Sequence, residues 1–135
     1  MQSQIEEMVK AKGLSENIIF MGTRRDIPEC LSAMDLFVFP SLFEGMPNTV
    51  IEAQAAGLPC LIADTITPEA NVTGLVSYCS LNETAESWAV RTLQAAYYER
   101  KSQYSILAAA GYTIEESAKD FVQYVFQGKR NEASK

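Results

Sequence analysis

The stretch PSLFEGMPNTVIEAQAAGLP, residues 40–59, decides both the fold and the candidate site. It joins a loop rich in Pro, Ser and Gly to a compact apolar segment that predicts a helix over residues 48–56. Two carboxylates, Glu44 and Glu52, lie on either side of the predicted helix start. The backbone N–H groups exposed there, and the positive end of the helix dipole, attract anions. Two acids beside them indicate a ligand that is partly anionic and partly rich in hydroxyl groups.

On both sides of this stretch apolar runs alternate with helical patterns, which is typical of a parallel α/β sheet. Gly57 is placed to end the helix, and Pro28 suits the first turn of a short helix within residues 24–34. An amphipathic helix ending at Gly13 is predicted at the N-terminus. Strands are predicted at residues 17–22, 35–40, 59–64 and 74–79. We therefore expect an α/β fold, a parallel sheet with flanking helices.

The sequence from Glu83 onwards has a wholly helical pattern. A further helix is predicted to begin at a capping box formed by Thr113 and Glu116, and residues 127–135 are predicted to be a frayed tail. The first of these helices has an apolar face expected to pack on the core, formed by Ala85, Trp88, Ala89, Thr92, Leu93, Ala96 and Tyr97. The last helix is expected to bury Ala118, Phe121, Val122 and Val125.

Composition excludes several classes of function. The 135 residues suffice for one domain with a hydrophobic core, and a net charge of -6 argues against a nucleic-acid partner and against anionic lipid. The sequence has no histidine, which removes the usual zinc sites and imidazole acid–base chemistry. Three cysteines without metal-type spacing, and the lack of a signal peptide, predict a reduced cytoplasmic protein without a metal or cofactor.

Residues 22–25, 41–48 and 64–65 follow the predicted strand ends, where ligands of parallel sheets bind, so we expect them along one edge of the sheet. Gly45 permits close approach of the backbone, and Pro47 stiffens the entry to the helix. The amides of Met46, Asn48 and Thr49 would then face a diphosphate. Glu44 and Glu52 would accept hydrogen bonds from sugar hydroxyls.

Structural alternatives remain open on the residues themselves. Thr49 and Glu52 have the spacing of a capping box, so Glu52 has equal claims to a structural and a ligand-binding role. Arg24 and Arg25 fit solvated loop charges, which is the commoner case. Asp35 fits the start of a strand better than a ligand site.

The central motif resembles the retaining nucleotide-sugar glycosyltransferases with two Rossmann-like domains, the GT-B fold. It reads D-x-F-V-x-P-S-x-x-E-G-x-P-x-x-x-x-E-A-x-A-A-G-x-P from Asp35 to Pro59, in which Glu44 and Glu52 stand at the two glutamates of that family's acid–seven–acid motif. The resemblance extends over nearly the whole chain. The segments ADTITPEANVTGLVSYCSL and AGYTIEESAKDFVQYV are similar to the branch serving capsular and exopolysaccharide assembly.

The resemblance implies a role for each candidate residue. Glu44, the catalytic candidate, would meet donor-sugar hydroxyls, and Glu52 would hold the ribose. The loop after Gly22, with Arg24, would border the base. The remaining donor-binding candidates are Ser41, Gly45, Met46, Pro47, Asn48 and Thr49. The family is largely metal-independent, and its donor is a nucleotide-sugar such as a UDP-sugar whose own phosphate assists the acceptor as base.

The resemblance also implies that residues 1–135 are a partial C-terminal, donor-binding domain. The family's acceptor domain and the first strands of the donor domain would precede this chain, which would be an artificial truncation, a degraded gene or a fragmentary reading frame. We therefore expect no glycosyl transfer by the chain alone; a stand-alone weak nucleotide-sugar binding module is the alternative, and a sugar-nucleotide epimerase is disfavoured by the missing histidine. Full-length relatives would work at the inner face of the membrane, on a glycan or lipid-linked acceptor.

Loss of the preceding strands would leave strand 35–39 with an open apolar edge. We expect the chain to form a homodimer through that edge, or to pair residues 17–22 directly with 35–39. The rival is a monomer in which the N-terminal helix covers the edge.

Overall fold

The computed structural model describes residues 2–113 and residue 115. They form a three-stranded parallel sheet flanked by helices, which confirms the predicted α/β class. The elements are α1 (Gln2–Ala11), α2 (Ile27–Ser32), β1 (Phe37–Phe39), α3 (Asn48–Ala55), β2 (Cys60–Ala63), a 3-10 turn (Pro68–Ala70), β3 (Val76–Cys79), α4 (Ala85–Ala96) and α5 (Tyr104–Ala109).

The sheet is centred on β2, in the order β1-β2-β3. Both pairings are parallel, so all three strands point the same way. Phe37 is the partner of Cys60 in one pairing, and Cys60 is the partner of Val76 in the other. Every residue of β2 is buried, as expected for a parallel strand covered on both faces. The core around it consists of Leu31, Val50, Ala53, Leu58, Cys60, Ile62, Ala63, Ile66, Ala70 and Val76.

The helix α3 begins and ends where local chemistry requires. Pro47 is its N-cap, and Gly57 ends it with a φ of 73°, a left-handed conformation that favours glycine. The Gly57 N–H donates to the Gln54 carbonyl at 2.9 Å, and the Leu58 N–H donates to the Ala53 carbonyl at 3.0 Å. This is a Schellman ending, so the predicted helix and its glycine cap are confirmed.

The predicted first strand, residues 17–22, is wrong. The structure assigns no strand there, and Ile18, Ile19, Phe20 and Met21 are all exposed, Ile19 at 84%. An extended apolar segment becomes a strand when a neighbour supplies the ladder of hydrogen bonds, and β1 is paired with β2 but not with this segment. The direct pairing of 17–22 with 35–39 is therefore not seen either.

The C-terminal half differs from the wholly helical prediction, because residues 97–103 separate α4 from α5. Within α4 no residue is fully buried; Trp88 and Thr92 are half-buried, whereas Leu93 and Tyr97 are exposed. Trp88 packs against the core and its Nε1 donates to the Ser80 carbonyl at 3.0 Å. Of the seven residues predicted to form the apolar face, only Trp88 and Thr92 are half-buried, and the other five are exposed.

Two other predictions have different outcomes. Pro28 occupies the first turn of α2, as predicted, whereas α1 buries Val9 but leaves Ile5 and Met8 exposed. Glu116 of the predicted capping box, most of the last helix and the tail 127–135 lie outside the described residues. Among residues 2–113, no helix has the length and apolar character needed to cross a membrane.

Candidate functional site

The loop between β1 and α3 lies at the carboxyl edge of the sheet and is held in place by two side-chain hydroxyls. Ser41 Oγ donates to Glu44 Oε1 at 3.1 Å, which keeps the Glu44 carboxylate half-buried against its own loop. Thr65 Oγ1, just beyond the end of β2, donates to the Ser41 carbonyl at 3.0 Å. The loops that follow two neighbouring strands are thereby joined, and the Glu44 carboxylate is fixed relative to the sheet.

The start of α3 presents backbone donors to solvent. The first helical hydrogen bond runs from the Val50 N–H to the Pro47 carbonyl at 2.9 Å. In the part of the chain that the structure describes, the N–H groups of Asn48 and Thr49 donate to no acceptor, and both residues are exposed. A Cβ on Gly45 would meet nothing within 4 Å, so the space beside the loop backbone at Gly45 is open. Two free amides at the positive end of a helix dipole form a site for an anion.

Glu52 is not part of a capping box. The helix begins at Asn48 with Pro47 as N-cap, so Thr49 lies inside the first turn and makes no side-chain cap. Pro47 fixes this start because its ring suits a helix entry, which leaves Glu52 without the structural role that its spacing with Thr49 indicated.

The Glu52 side chain instead lines a cavity between α2 and α3. The cavity has a volume of about 350 Å³, and the other residues lining it are Ile27, Pro28, Leu31, Ser32, Ala55 and Ala56. A helix rises about 1.5 Å per residue, so Glu52 lies about 6 Å along the axis from the Asn48 amide. One carboxylate in a largely apolar groove, about one turn from an anion site, can hold vicinal hydroxyls of a ligand whose anionic part rests on the amides.

Arg24 is not brought to this groove. Its Nε donates to Asp26 Oδ1 at 2.8 Å and its Nη2 contacts Asp26 Oδ2, an exposed ion pair within the loop. This hydrogen bond holds the pKa of Asp26 below its usual value and raises the pKa of Arg24. Arg24 lines a different cavity, with Glu29 and Cys30 on the other side of α2 from Glu52. Gly22, with a φ of 62°, makes the turn into this loop.

Sequence reasoning placed Thr65 after a strand end at this edge of the sheet, but did not predict that its hydroxyl anchors the loop. It missed the wall of the groove that Ile27 and Pro28 form. Leu42 and Phe43 are exposed at 81% and 83% beside Glu44, where the apolar residues of a loop are ordinarily turned inward. Among the residues that the structure describes, no group of three or more Cys, Asp or Glu side chains could hold a metal ion.

Comparison with known proteins identifies the class to which this arrangement belongs. The family described as glycosyl transferases group 1 matches residues 1–96, more than half of the chain. The chain therefore belongs to the group 1 glycosyltransferases, whose GT-B fold agrees with the parallel sheet observed here.

Three curated relatives are similar to parts of the chain. The protein EpsF of Bacillus subtilis (strain 168), described as a glycosyltransferase, is 39% identical over 118 residues, which are 84% of this chain and 31% of EpsF. The UDP-Gal:alpha-D-GlcNAc-diphosphoundecaprenol alpha-1,3-galactosyltransferase of Escherichia coli is 49% identical over 51 residues, 38% of this chain and 13% of that enzyme.

The third relative is the N,N'-diacetylbacillosaminyl-diphospho-undecaprenol alpha-1,3-N-acetylgalactosaminyltransferase of Campylobacter jejuni. It is 44% identical over 45 residues, 33% of this chain and 12% of that enzyme. The chain thus spans less than a third of the length of these relatives. No solved structure matches it.

Proposed function

We propose that the chain is the donor-binding part of a retaining glycosyltransferase, which transfers a sugar from a nucleotide-sugar to a glycan or lipid-linked acceptor. The observation that carries the proposal is the Glu52 carboxylate in its groove, about one helical turn from the free amides of Asn48 and Thr49. The diphosphoundecaprenol-linked substrates in the names of two relatives support a lipid-linked acceptor. A role in capsular or exopolysaccharide assembly, in the cytoplasm, is part of the same proposal.

Each group of the site has one task. The amides at the start of α3 neutralise the donor diphosphate, and Glu52 accepts hydrogen bonds from the ribose. Glu44, oriented by Ser41, accepts hydrogen bonds from hydroxyls of the donor sugar. The reaction uses no metal or cofactor: transfer proceeds on one face of the sugar, and the donor phosphate takes the proton of the acceptor hydroxyl.

Binding of UDP to the chain tests the ribose role. Ligand-observed NMR should give a dissociation constant in the millimolar range, and Glu52→Ala should raise it by about tenfold or more, because charge-assisted hydrogen bonds are worth about 1.5–3 kcal/mol each. Glu7→Ala, which removes an exposed carboxylate on α1, is the matched control and should bind UDP normally. Equal UDP affinity of Glu52→Ala and the native chain would remove Glu52 from the site.

The chain by itself should transfer no sugar, since it covers 31% of EpsF. An assay with several UDP-sugars and lipid-linked acceptors should therefore read blank. Binding of UDP without transfer is equally the property of a stand-alone nucleotide-sugar module, our second candidate, which the exposed and accessible amides favour. Measurable turnover would contradict both.

We also propose that the chain forms a homodimer through the free edge of β1. Within residues 2–113, β1 is paired on one side only, and Val38 at its centre is 41% exposed. Burying 400 Å² of apolar area contributes roughly 10 kcal/mol before entropic costs. Light scattering after size exclusion should give twice the 14.9 kDa mass, and Val38→Lys should give the monomer, because a charge on an edge strand blocks pairing. Ser77→Lys, which places the same charge on β3, is the control and should leave the dimer intact. A monomeric native chain would refute the dimer.

A further inference from the structure

The segment between α4 and α5, residues 97–103, has neither helix nor strand, and we call it the strap. Its Arg100 side chain reaches the end of α2, 68 positions earlier in the chain. Arg100 Nη1 donates to the Ser32 carbonyl at 2.7 Å, and Nη2 donates to the Met34 carbonyl. The last carbonyls of a helix lack partners within it, and the helix dipole favours a positive charge beside them. The forked guanidinium therefore caps α2 from a distant part of the chain.

The strap also packs against the end of α3. A Cβ on Gly57, the glycine that ends this helix, would lie 2.7 Å from the Lys101 carbonyl oxygen and 2.9 Å from Arg100 Cγ. Gln103 is buried, and its Nε2 donates to the same Lys101 carbonyl at 3.1 Å. The strap is thus held against α3, and from there it reaches α2 through the Arg100 side chain.

The helices α2 and α3 are the two walls of the groove that Glu52 lines. With six residues, α2 is too short to be stable alone, so contacts with the rest of the fold must fix its place. Leu31 holds it to the core, and Ser32, whose carbonyl accepts from Arg100, itself lines the groove. The contact with Arg100 therefore acts on a wall of the candidate site.

We propose that Arg100 is a positioning residue of the donor site: it holds α2 at the separation from α3 at which the groove accepts the nucleoside part of the donor. The inference rests on the proposed function. Apparent affinity falls in proportion to the fraction of molecules whose site is formed. One net hydrogen bond changes such an equilibrium by about two- to tenfold. Loss of Arg100 should therefore weaken nucleoside binding and spare the amides at the start of α3.

The test compares UDP with two probes that each carry one part of it: uridine, which has the nucleoside alone, and inorganic pyrophosphate, which has the anion alone. Their dissociation constants are measured by NMR. Arg100→Ala should raise the constants of UDP and uridine by about fivefold and leave that of pyrophosphate unchanged. Arg100→Lys keeps the charge but not the fork, so its constants for UDP and uridine should fall between those of the native chain and Arg100→Ala.

Lys101→Ala is the matched control. It removes the neighbouring cation of the strap, whose side chain is 68% exposed and pairs with Glu99 at 3.7 Å, without touching the carbonyls of α2. The three ligands should bind this variant as they bind the native chain. An equal loss of UDP binding in Lys101→Ala and Arg100→Ala would assign the effect to net charge and overturn the positioning role.

Amide hydrogen exchange of the ligand-free chains tests the hold on α2 directly. The N–H groups of Cys30 and Ala33 donate to carbonyls one turn earlier, and in Arg100→Ala they should exchange several-fold faster. The amides of β2 should keep their native rates. A role in overall stability alone would instead accelerate exchange in β2 as well, and it would leave the affinity of the folded chain for uridine unchanged.

Three further results would overturn the role of Arg100. They are unchanged uridine binding in Arg100→Ala, unchanged exchange in α2, and a loss of pyrophosphate binding as large as that of UDP, which would make Arg100 a binding charge. Failure of the native chain to bind UDP and uridine would refute the proposed function and, with it, the ligand part of this inference. Faster exchange confined to α2 would still support the hold of Arg100 on that helix.

Discussion

Gln54 lies in α3 with its side chain completely buried, and its replacement by Met tests how the site helix is held. Its Nε2 donates to the Ala70 carbonyl at 2.7 Å and to the Val50 carbonyl at 3.1 Å. Its Oε1 accepts from the Val72 N–H at 3.1 Å, the Thr73 N–H at 3.0 Å and the Thr73 hydroxyl at 2.9 Å. One amide thus ties the site helix to the segment that leads into β3.

The magnitude follows from the groups that Gln54→Met leaves unpaired. The Val50 carbonyl lies within the helix, whereas the Ala70 carbonyl and the N–H groups of Val72 and Thr73 lose their partner. A buried group left unpaired costs about 1–3 kcal/mol, and half-burial of residues 72 and 73 favours the lower value. We expect a loss of about 3 kcal/mol, a large share of the roughly 5–15 kcal/mol of a typical domain.

The assay is urea unfolding followed by the fluorescence of Trp88, the single tryptophan, which packs against the core. With a slope of about 1.5 kcal/mol per M, the midpoint should fall by about 2 M. Amide exchange at Val72 and Thr73 should accelerate. Gln94→Met makes the same chemical change at an exposed position of α4 and should cost under about 0.5 kcal/mol. Equal losses in the two variants would show that the hydrogen bonds of Gln54 contribute nothing.

Two further predictions concern backbone approach and ionisation. Gly57→Ala should cost about 3 kcal/mol, since its Cβ would lie 2.7 Å from the Lys101 carbonyl oxygen and 2.9 Å from Arg100 Cγ at a φ of 73°. Gly74→Ala is the control: at a φ of 81° with nothing within 4 Å of its Cβ, it should cost about 1 kcal/mol. Equal urea midpoints for Gly57→Ala and Gly74→Ala would show that the close approach of Lys101 to Gly57 adds no cost. Burial raises the pKa of Cys60 from 9.0 to about 12, so the unfolded chain loses this proton first and stability should fall between those pH values. In urea titrations at alkaline pH, Cys60→Ala should reduce the fall of the unfolding free energy with pH by up to about 1.4 kcal/mol per pH unit. The same dependence on pH in Cys60→Ala and the native chain would refute the effect of burial on the Cys60 thiol.

Local chemistry explains which parts of the fold could be predicted. The bounds of α3 follow from Pro47 and Gly57, which act within one turn of the chain. The strand β2 follows from the short apolar run between Gly57 and Asp64. Residues 17–22 have the same apolar character but no strand, because pairing depends on a neighbour that the pattern of one segment does not specify. For the same reason spacing alone overestimates the buried face of α4: Leu93 has the right spacing, yet no described residue covers it and it is 65% exposed.

By itself the sequence determined the α/β class, the family motif and the placing of Glu44 and Glu52 around a helix start, because composition and spacing act along the chain. Tertiary structure decided what those residues contact. It placed Glu52 in a groove against α2 and removed its capping role, paired Arg24 with Asp26, and left Leu42 and Phe43 in solvent. Burial and hydrogen bonding depend on which elements meet in space, and Ile27 and Pro28 line the groove with Glu52 only because folding brings α2 against α3.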